Sequence, residues 1–185
     1  MLSEIFIKTS EQKILNLFAR NSGKSFYGRE ISKKLDISLG SVHGALHSLE
    51  QSGILISQNI GKAKVFTFAS SNPIIQSFKI LSALLMLEPL VEALKDLSRR
   101  VILYGSYANG TFAAQSDVDL MIVAETKKNV AEKIDLFQRR SGLDIRPLIK
   151  SQVEWMELEK TSPEFIDELS HGIILWERPV DESGF

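Results

Sequence analysis

The chain has 185 residues, 44% apolar and 24% charged, which excludes a disordered or fibrous protein and leaves one large domain or two small ones. It contains no cysteine, so disulfides and cysteine-ligated zinc are excluded, and a reducing, cytoplasmic setting is expected. The net charge of −1 conceals an asymmetry: residues 1–72 carry nine Lys/Arg against five Asp/Glu, and residues 73–185 carry thirteen against eighteen. A basic front and an acidic back suggest modules with different partners, and nucleic acid suits the first.

The opening MLSEIFIKTSEQ lacks the basic start and long apolar region of a signal peptide. Ser10 is placed to cap a first helix carrying Ile14, Leu15, Leu17 and Phe18, which Asn21-Ser22-Gly23 ends. A second helix is predicted over Tyr27 to Leu35, with a turn at Asp36-Ile37-Ser38. A third starts near Leu39 and repeats Val42, Ala45, Leu46 and Leu49 on one face until Ser52-Gly53. Ile54–Ile56 and Lys64–Phe68 read as strands joined around Asn59-Ile60-Gly61-Lys62.

Three helices and a hairpin make a winged helix-turn-helix over residues 1–70, and REISKKLDISLGSVHGALHSLEQSGIL resembles the second and third helices of such domains in prokaryotic regulators. The resemblance implies double-stranded DNA as partner, with the third helix in the major groove. Ser38, Ser41, His43 and His47 would face bases, and Lys33, Lys34, Lys62 and Lys64 would reach phosphates. The third helix has no Arg or Lys between Leu39 and Gly53, so a protein-interaction or dimerisation module stays open.

Ser70-Ser71-Asn72-Pro73 marks a boundary, and residues 71–98 read as a helical connector. Ile74, Ile75, Phe78, Leu81 and Leu85 recur at helical spacing, with Gln76, Lys79, Glu92 and Lys95 on the polar face. Pro89 is expected to break the helix or begin another. The richest apolar run, Ile80–Leu87, is too short to span a bilayer, so no membrane partner is expected. The apolar face would pack on the next domain or form a homodimer seam.

Residues 99–185 carry the chemistry. Val101–Tyr104 reads as a buried strand ending at Gly105-Ser106, where a helix starts. Glycine permits close backbone approach, and helix-start N–H groups with a hydroxyl suit phosphate. Asp117 and Asp119 open the next strand, Val118–Val123, and share a face. Two such carboxylates repel unless neutralised, which Mg²⁺ does while sharing substrate phosphates. A helix predicted over Lys128–Arg140 precedes a predicted strand, Gly142–Ile149, carrying Asp144.

The Gly-Ser turn, Ala108, Gly110, and Ser116-Asp117-Val118-Asp119-Leu120 together resemble the core motif of the DNA-polymerase-β-like nucleotidyltransferase superfamily, within it the minimal nucleotidyltransferases. The similarity covers about residues 99–178 and includes Ser162-Pro163-Glu164-Phe165 and Gly172. It implies an α+β chain whose small mixed sheet is covered by helices. It implies a nucleotidyltransferase that moves a nucleoside monophosphate from a nucleoside triphosphate to a hydroxyl. Gly105, Ser106 and Ser116 would bind the nucleotide. Asp117 and Asp119 would hold Mg²⁺, and Asp144 would complete the metal site or act as general base. The acceptor would be a partner protein's side chain, as in toxin–antitoxin systems, an RNA end or a small molecule. Asn109 stands where the family usually has Arg. The alternative is a DNA-binding regulator whose nucleotidyltransferase domain senses nucleotide or a partner without catalysis.

Overall fold

The computed structural model describes residues 2–69 and 72–179. The chain divides into two compact units. One is residues up to Leu85 with Gly110–Gln115; the other is Met86–Asn109 with residues from Ser116 onward.

In the first unit a short helix α1 (Ser3–Phe6) precedes α2 (Ser10–Arg20), α3 (Gly28–Leu35) and α4 (Leu39–Gln51). The cap of α2 is Thr9 rather than Ser10. Its side chain accepts from the Gln12 N–H while Gln12 Oε1 accepts from the Thr9 N–H at 3.0 Å, a reciprocal capping box. Tyr27 lies outside α3, in a two-residue strand β1 (Phe26–Tyr27). Asp36 ends α3 at φ 53°, a left-handed conformation that Asp tolerates better than most residues. Ser38 caps α4 by accepting from the Ser41 N–H. The strands β2 (Leu55–Ile60) and β3 (Ala63–Phe68) pair antiparallel, and β1 adds to β3, giving the order β1-β3-β2. Ile14, Phe18, Ile31, Val42, Leu46 and Phe66 pack into one core, where Phe18 meets Phe26 edge-on at 5.3 Å.

Helix α5 runs unbroken from Pro73 to Leu94 with Pro89 inside it, so the expected break at Pro89 does not occur. By length and composition alone it is long and apolar enough to cross a bilayer, although the run Ile80–Leu87 within it is shorter than a span. It nevertheless buries Ile75, Ala83, Leu87, Leu90 and Leu94 within the protein. Ser82 donates to Asn16 Oδ1 at 2.7 Å, and Lys79, expected on a solvated face, is only 6% exposed. The Lys79 ammonium donates to the Phe112 carbonyl at 2.5 Å and lies 4.5 Å from that ring's centroid. Burial lowers its pKa, because a desolvated ammonium favours losing its proton. Its long alkyl stem allows the burial that its charge alone would argue against.

The second unit holds a mixed four-stranded sheet, order β6-β5-β4-β7, from β4 (Arg100–Tyr104), β5 (Val118–Val123), β6 (Ile145–Lys150) and β7 (Ile173–Glu177). The four-residue helix α6 (Gly105–Ala108) follows β4 directly. β4 pairs antiparallel with β5 and β7, whereas β5 and β6 are parallel. A parallel pair needs a crossover, supplied by α7 (Lys127–Ser141). Gly142 stops α7 at φ 71°. Pro147 is tolerated because β6 is an edge strand. Helices α8 (Gln152–Thr161) and α9 (Pro163–Ser170) complete the unit. Helix α8 was not anticipated, although its Ser151/Glu154 capping box was readable in the sequence. Ile102, Met121, Val123, Trp155 and Leu169 form part of its core. Trp155 is thus a packing residue, and His171 Nδ1 lies 2.8 Å from the Asp167 carbonyl.

Candidate active site

Strand β4 delivers the backbone turn and β5 the carboxylates. The two are joined in register, with Tyr104 opposite Asp119. Tyr104 is extended, and the chain then reverses at Gly105, φ +66°, to start α6. A Cβ on Gly105 would lie 2.7 Å from Asp119 Oδ2. Both the positive φ and this close approach demand glycine, so the turn backbone sits directly against a carboxylate. Ser106 follows, half-buried, as the second residue of α6.

Asp117 and Asp119 lie at and just before the start of β5. The parallel register sets Asp119 beside Arg146, and the Arg146 guanidinium reaches Asp117 Oδ2 at 2.7 Å. Burial raises the Asp119 carboxyl above the usual range. Arg146 pulls it down, and the charges of Asp117 and Glu168 push it further up. Burial, then Asp119 and Glu168, likewise raise the Tyr104 phenol; burial, then Asp117, raise that of Tyr107. Burial and the two acids thus outweigh the help Arg146 gives to the Asp119 anion.

Asp144 precedes β6, one residue before the Val118–Ile145 pair, and its carbonyl accepts from the Val118 N–H at 2.8 Å. Its side chain is exposed. Among the described residues no three His, Cys, Asp or Glu groups converge on a metal position. The structure thus brings Asp117 and Asp119 together but does not close a cluster with Asp144. Two oxygen donors still suit Mg²⁺, which takes one or two carboxylates and completes its shell with substrate phosphates and water. A cation there would favour the ionised form of Asp119 against its burial and the neighbouring acids. Arg146 and Glu168 were missed in the sequence. The signal for Arg146 in the sequence is that it follows Asp144 by two residues and so shares its face, but its partner strand is set by non-local pairing.

In the first unit the residues expected at DNA fall into three groups. Ser38 and Ser41 are committed to each other, with hydroxyls 2.8 Å apart at the start of α4. Lys64 is ion-paired to Glu50 at 2.7 Å and Lys34 lies 3.9 Å from Glu30. Lys33, His43, His47 and Lys62 are exposed. His43 and Lys62 line a groove with Tyr27, Arg29, Leu39 and Ile60; Arg29 was not singled out in the sequence.

A family model described as polymerase beta, nucleotidyltransferase, matches residues 90–181. The chain is 35% identical over 79 residues to the "Putative protein adenylyltransferase MJ0141" of Methanocaldococcus jannaschii, covering 42% of this chain and 78% of that protein. It aligns with a crystal structure of a "putative nucleotidyltransferase" from Sulfolobus solfataricus at 19% identity and a TM-score of 0.39, over 63% of this chain and 96% of that one.

Proposed function

Because the chain belongs to the polymerase β nucleotidyltransferase family, we propose that it is a Mg²⁺-dependent nucleotidyltransferase that moves AMP from ATP to a hydroxyl on a partner protein. The observation that carries the reading is the contact between Gly105 and Asp119, which sets a left-handed glycine turn against a carboxylate that burial and two neighbouring carboxylates disfavour as an anion despite Arg146. The name of the Methanocaldococcus relative favours a protein acceptor.

In this reading the Gly105-Ser106 backbone and the Ser106 hydroxyl bind the β- and γ-phosphates, and Ser116 supports the nucleotide from the start of β5. Asp117 and Asp119 would hold Mg²⁺, which supplies charge neutralisation for the polyphosphate and its departing pyrophosphate. Asp144, exposed at the head of β6, accepts the proton of the attacking hydroxyl. Arg146 offers the cation that Asn109 does not.

The first module is proposed to be a winged helix, residues 1–70, followed by a connector over 71–98 and the nucleotidyltransferase domain over 99–185. Helices α2–α4 with the β1-β3-β2 sheet support it. DNA binding would then use Lys33, His43, His47 and Lys62, with Arg29 joining them from the groove. An antitoxin-type regulator acting as a homodimer in the cytoplasm would combine both activities.

The deciding experiment incubates the full chain with α-³²P-labelled ATP, CTP, GTP or UTP and Mg²⁺, with cell lysate as acceptor. Label on protein from ATP, absent with Asp117→Asn/Asp119→Asn, supports the reading. Equal labelling by that variant would remove both carboxylates from the chemistry. Nucleotide binding without any transfer would favour the nucleotide-sensing regulator.

A further inference from the structure

The far end of the second unit's sheet carries a second cationic feature. Strand β5 begins beside Asp117 and ends at Val123, so from Asp119 the strand runs about 13 Å, at roughly 3.3 Å per residue. At that end lies a cavity of about 470 Å³, lined by Arg99, Arg100, Gln152, Trp155, Glu177 and Arg178 among others.

Its arginines are fixed through the backbone. Arg100 is the register partner of Glu177. One step further along the same pair of strands, the Arg178 N–H donates to the Arg99 carbonyl at 2.8 Å, and the Arg99 N–H donates to the Val123 carbonyl at 2.8 Å. Arg99 and Arg178 are therefore cross-strand neighbours of like charge, an arrangement that destabilises a sheet. Among the described residues lining the cavity the carboxylate is Glu177, and it is taken by Arg100, whose Nε donates to it at 2.9 Å. Arg100 also stacks 5.7 Å from the centre of the Trp155 ring. Arg178 has a long contact, 3.4 Å, to the Asp96 carbonyl, which carries no net charge. Nearby, Glu125 accepts from the Gln152 N–H at 3.1 Å, and Lys127 pairs with Glu154. Among the described residues that line the cavity, no carboxylate is paired with Arg99 or Arg178.

We infer that this cavity binds the phosphate or pyrophosphate group of a small molecule, clamped between the guanidinium groups of Arg99 and Arg178, apart from the Asp117/Asp119 site. Two forked donors match a phosphate's oxygens, and binding would convert the like-charge repulsion into shared attraction. The volume is that of a small-molecule site rather than a track for a strand. Gln152 and Glu177 at the wall leave room for selectivity toward what the phosphate is attached to. The inference does not depend on catalysis at Asp119.

The test titrates the full chain with inorganic pyrophosphate in EDTA, by calorimetry and by tryptophan emission, since Trp155 lines the cavity. One binding event is expected, because without Mg²⁺ the carboxylates of Asp117 and Asp119 repel the anion from the Gly105-Ser106 turn. Arg99→Gln and Arg178→Gln should each weaken it roughly tenfold or more, the scale of one charge-assisted contact pair. Asp119→Asn should leave it unchanged. Without ligand, Arg99→Gln should melt at or above the wild-type temperature, and with saturating pyrophosphate the order should reverse. That melting comparison also verifies folding. No binding at millimolar pyrophosphate, or affinity lost with Asp119→Asn but kept in both arginine variants, would overturn the assignment. Binding of a single-stranded oligonucleotide more than tenfold tighter than ADP, abolished by Arg99→Gln, would overturn the small-molecule occupant.

Discussion

Arg146 holds Asp117 at 2.7 Å, whereas the register neighbour of Arg146, Asp119, has burial and two carboxylates working against its charge. One strand of the parallel pair thus supplies the acids and the other a cation that pairs directly with Asp117 and acts on Asp119 only through its charge. The Arg146 side chain is 69% exposed, so the pair is screened and worth at most about 1 kcal/mol to the fold. Its weight falls on the site instead.

Replacing Arg146 with Ala should therefore leave urea stability within about 1 kcal/mol of wild type. Mn²⁺ binding without nucleotide should tighten, because Asp117 loses its competing partner. ATP binding should weaken, because a cation is lost beside the phosphates. Calorimetry with each ligand checks both signs, and weaker metal binding in the variant would show that Arg146 does not compete for Asp117.

Gly105→Ala combines a left-handed φ with a Cβ 2.7 Å from Asp119 Oδ2. The backbone cost alone is about 1–2 kcal/mol. The carboxylate must also move. Urea denaturation should show at least that loss, and transfer activity should fall with it. Gly61→Ala, at φ +60° but with nothing near its Cβ, should share the first cost and not the second.

Glu154 caps α8 and pairs with Lys127 at 2.6 Å. The Lys127 hydrogen bond, followed by the Ser151 N–H, lowers its pKa from 4.5 to about 2. The folded state thus binds this proton less readily than the unfolded state. The stabilisation is complete above the unfolded value and is lost as pH falls from about 4.5 through about 2. Glu154→Gln should flatten the acid limb of the stability profile in that window. A urea midpoint measured across it provides the check.

Lys79→Ala removes a buried charge-assisted hydrogen bond to the Phe112 carbonyl and the contact with its ring. A loss of about 2 kcal/mol is expected, with the relief of ammonium desolvation offsetting part of the gross contact. Lys79→Met keeps most of the apolar stem and should recover some of the packing. Equal losses in the two variants would assign the effect to the ammonium alone.

Ser38→Ala should cost about 1 kcal/mol of stability by removing the cap of α4. If Ser38 serves only as a cap, Ser38→Asp should restore the stability. DNA affinity, measured by salt-dependent gel shift, would fall for Ser38→Asp alone if the position also lies near phosphate.

Much of the site could be read along the chain because its parts are local. Gly105, Asp117 and Asp119 lie within fifteen residues of one another, and period-two alternation sets the acids on one face. The register that brings Arg146 to Asp117 is non-local, and so is the approach of Glu168 to Asp119. Neither can be derived from composition. Helix α4 and the hairpin were legible from their apolar spacing and turn residues. The uninterrupted α5 was not, since Pro89 carries a strong local signal against continuation that the packing of Leu87, Leu90 and Leu94 overrides. Lys79 misled for a similar reason: charge in a sequence signals solvent, while a buried acceptor and an aromatic face can hold it inside.

The link between the Gly-Ser turn and the paired acids has a consequence for anyone dissecting the chain. Residues 110–115 belong with the first compact unit, where Phe112 is 1% exposed, the Ala114 N–H donates to the Ser22 carbonyl at 3.0 Å, and Gly110 lies against the Gln76 backbone. A fragment cut at residue 86 or 99 would keep every acid of the motif yet strip that six-residue excursion of Gln76, Lys79 and Ser22. The excised piece would present a bare phenyl ring and two stranded peptide groups between its halves. Recombination that swaps the front module would face the same bill, so inheritance of the two parts as one transferable block is favoured over their exchange at a simple joint.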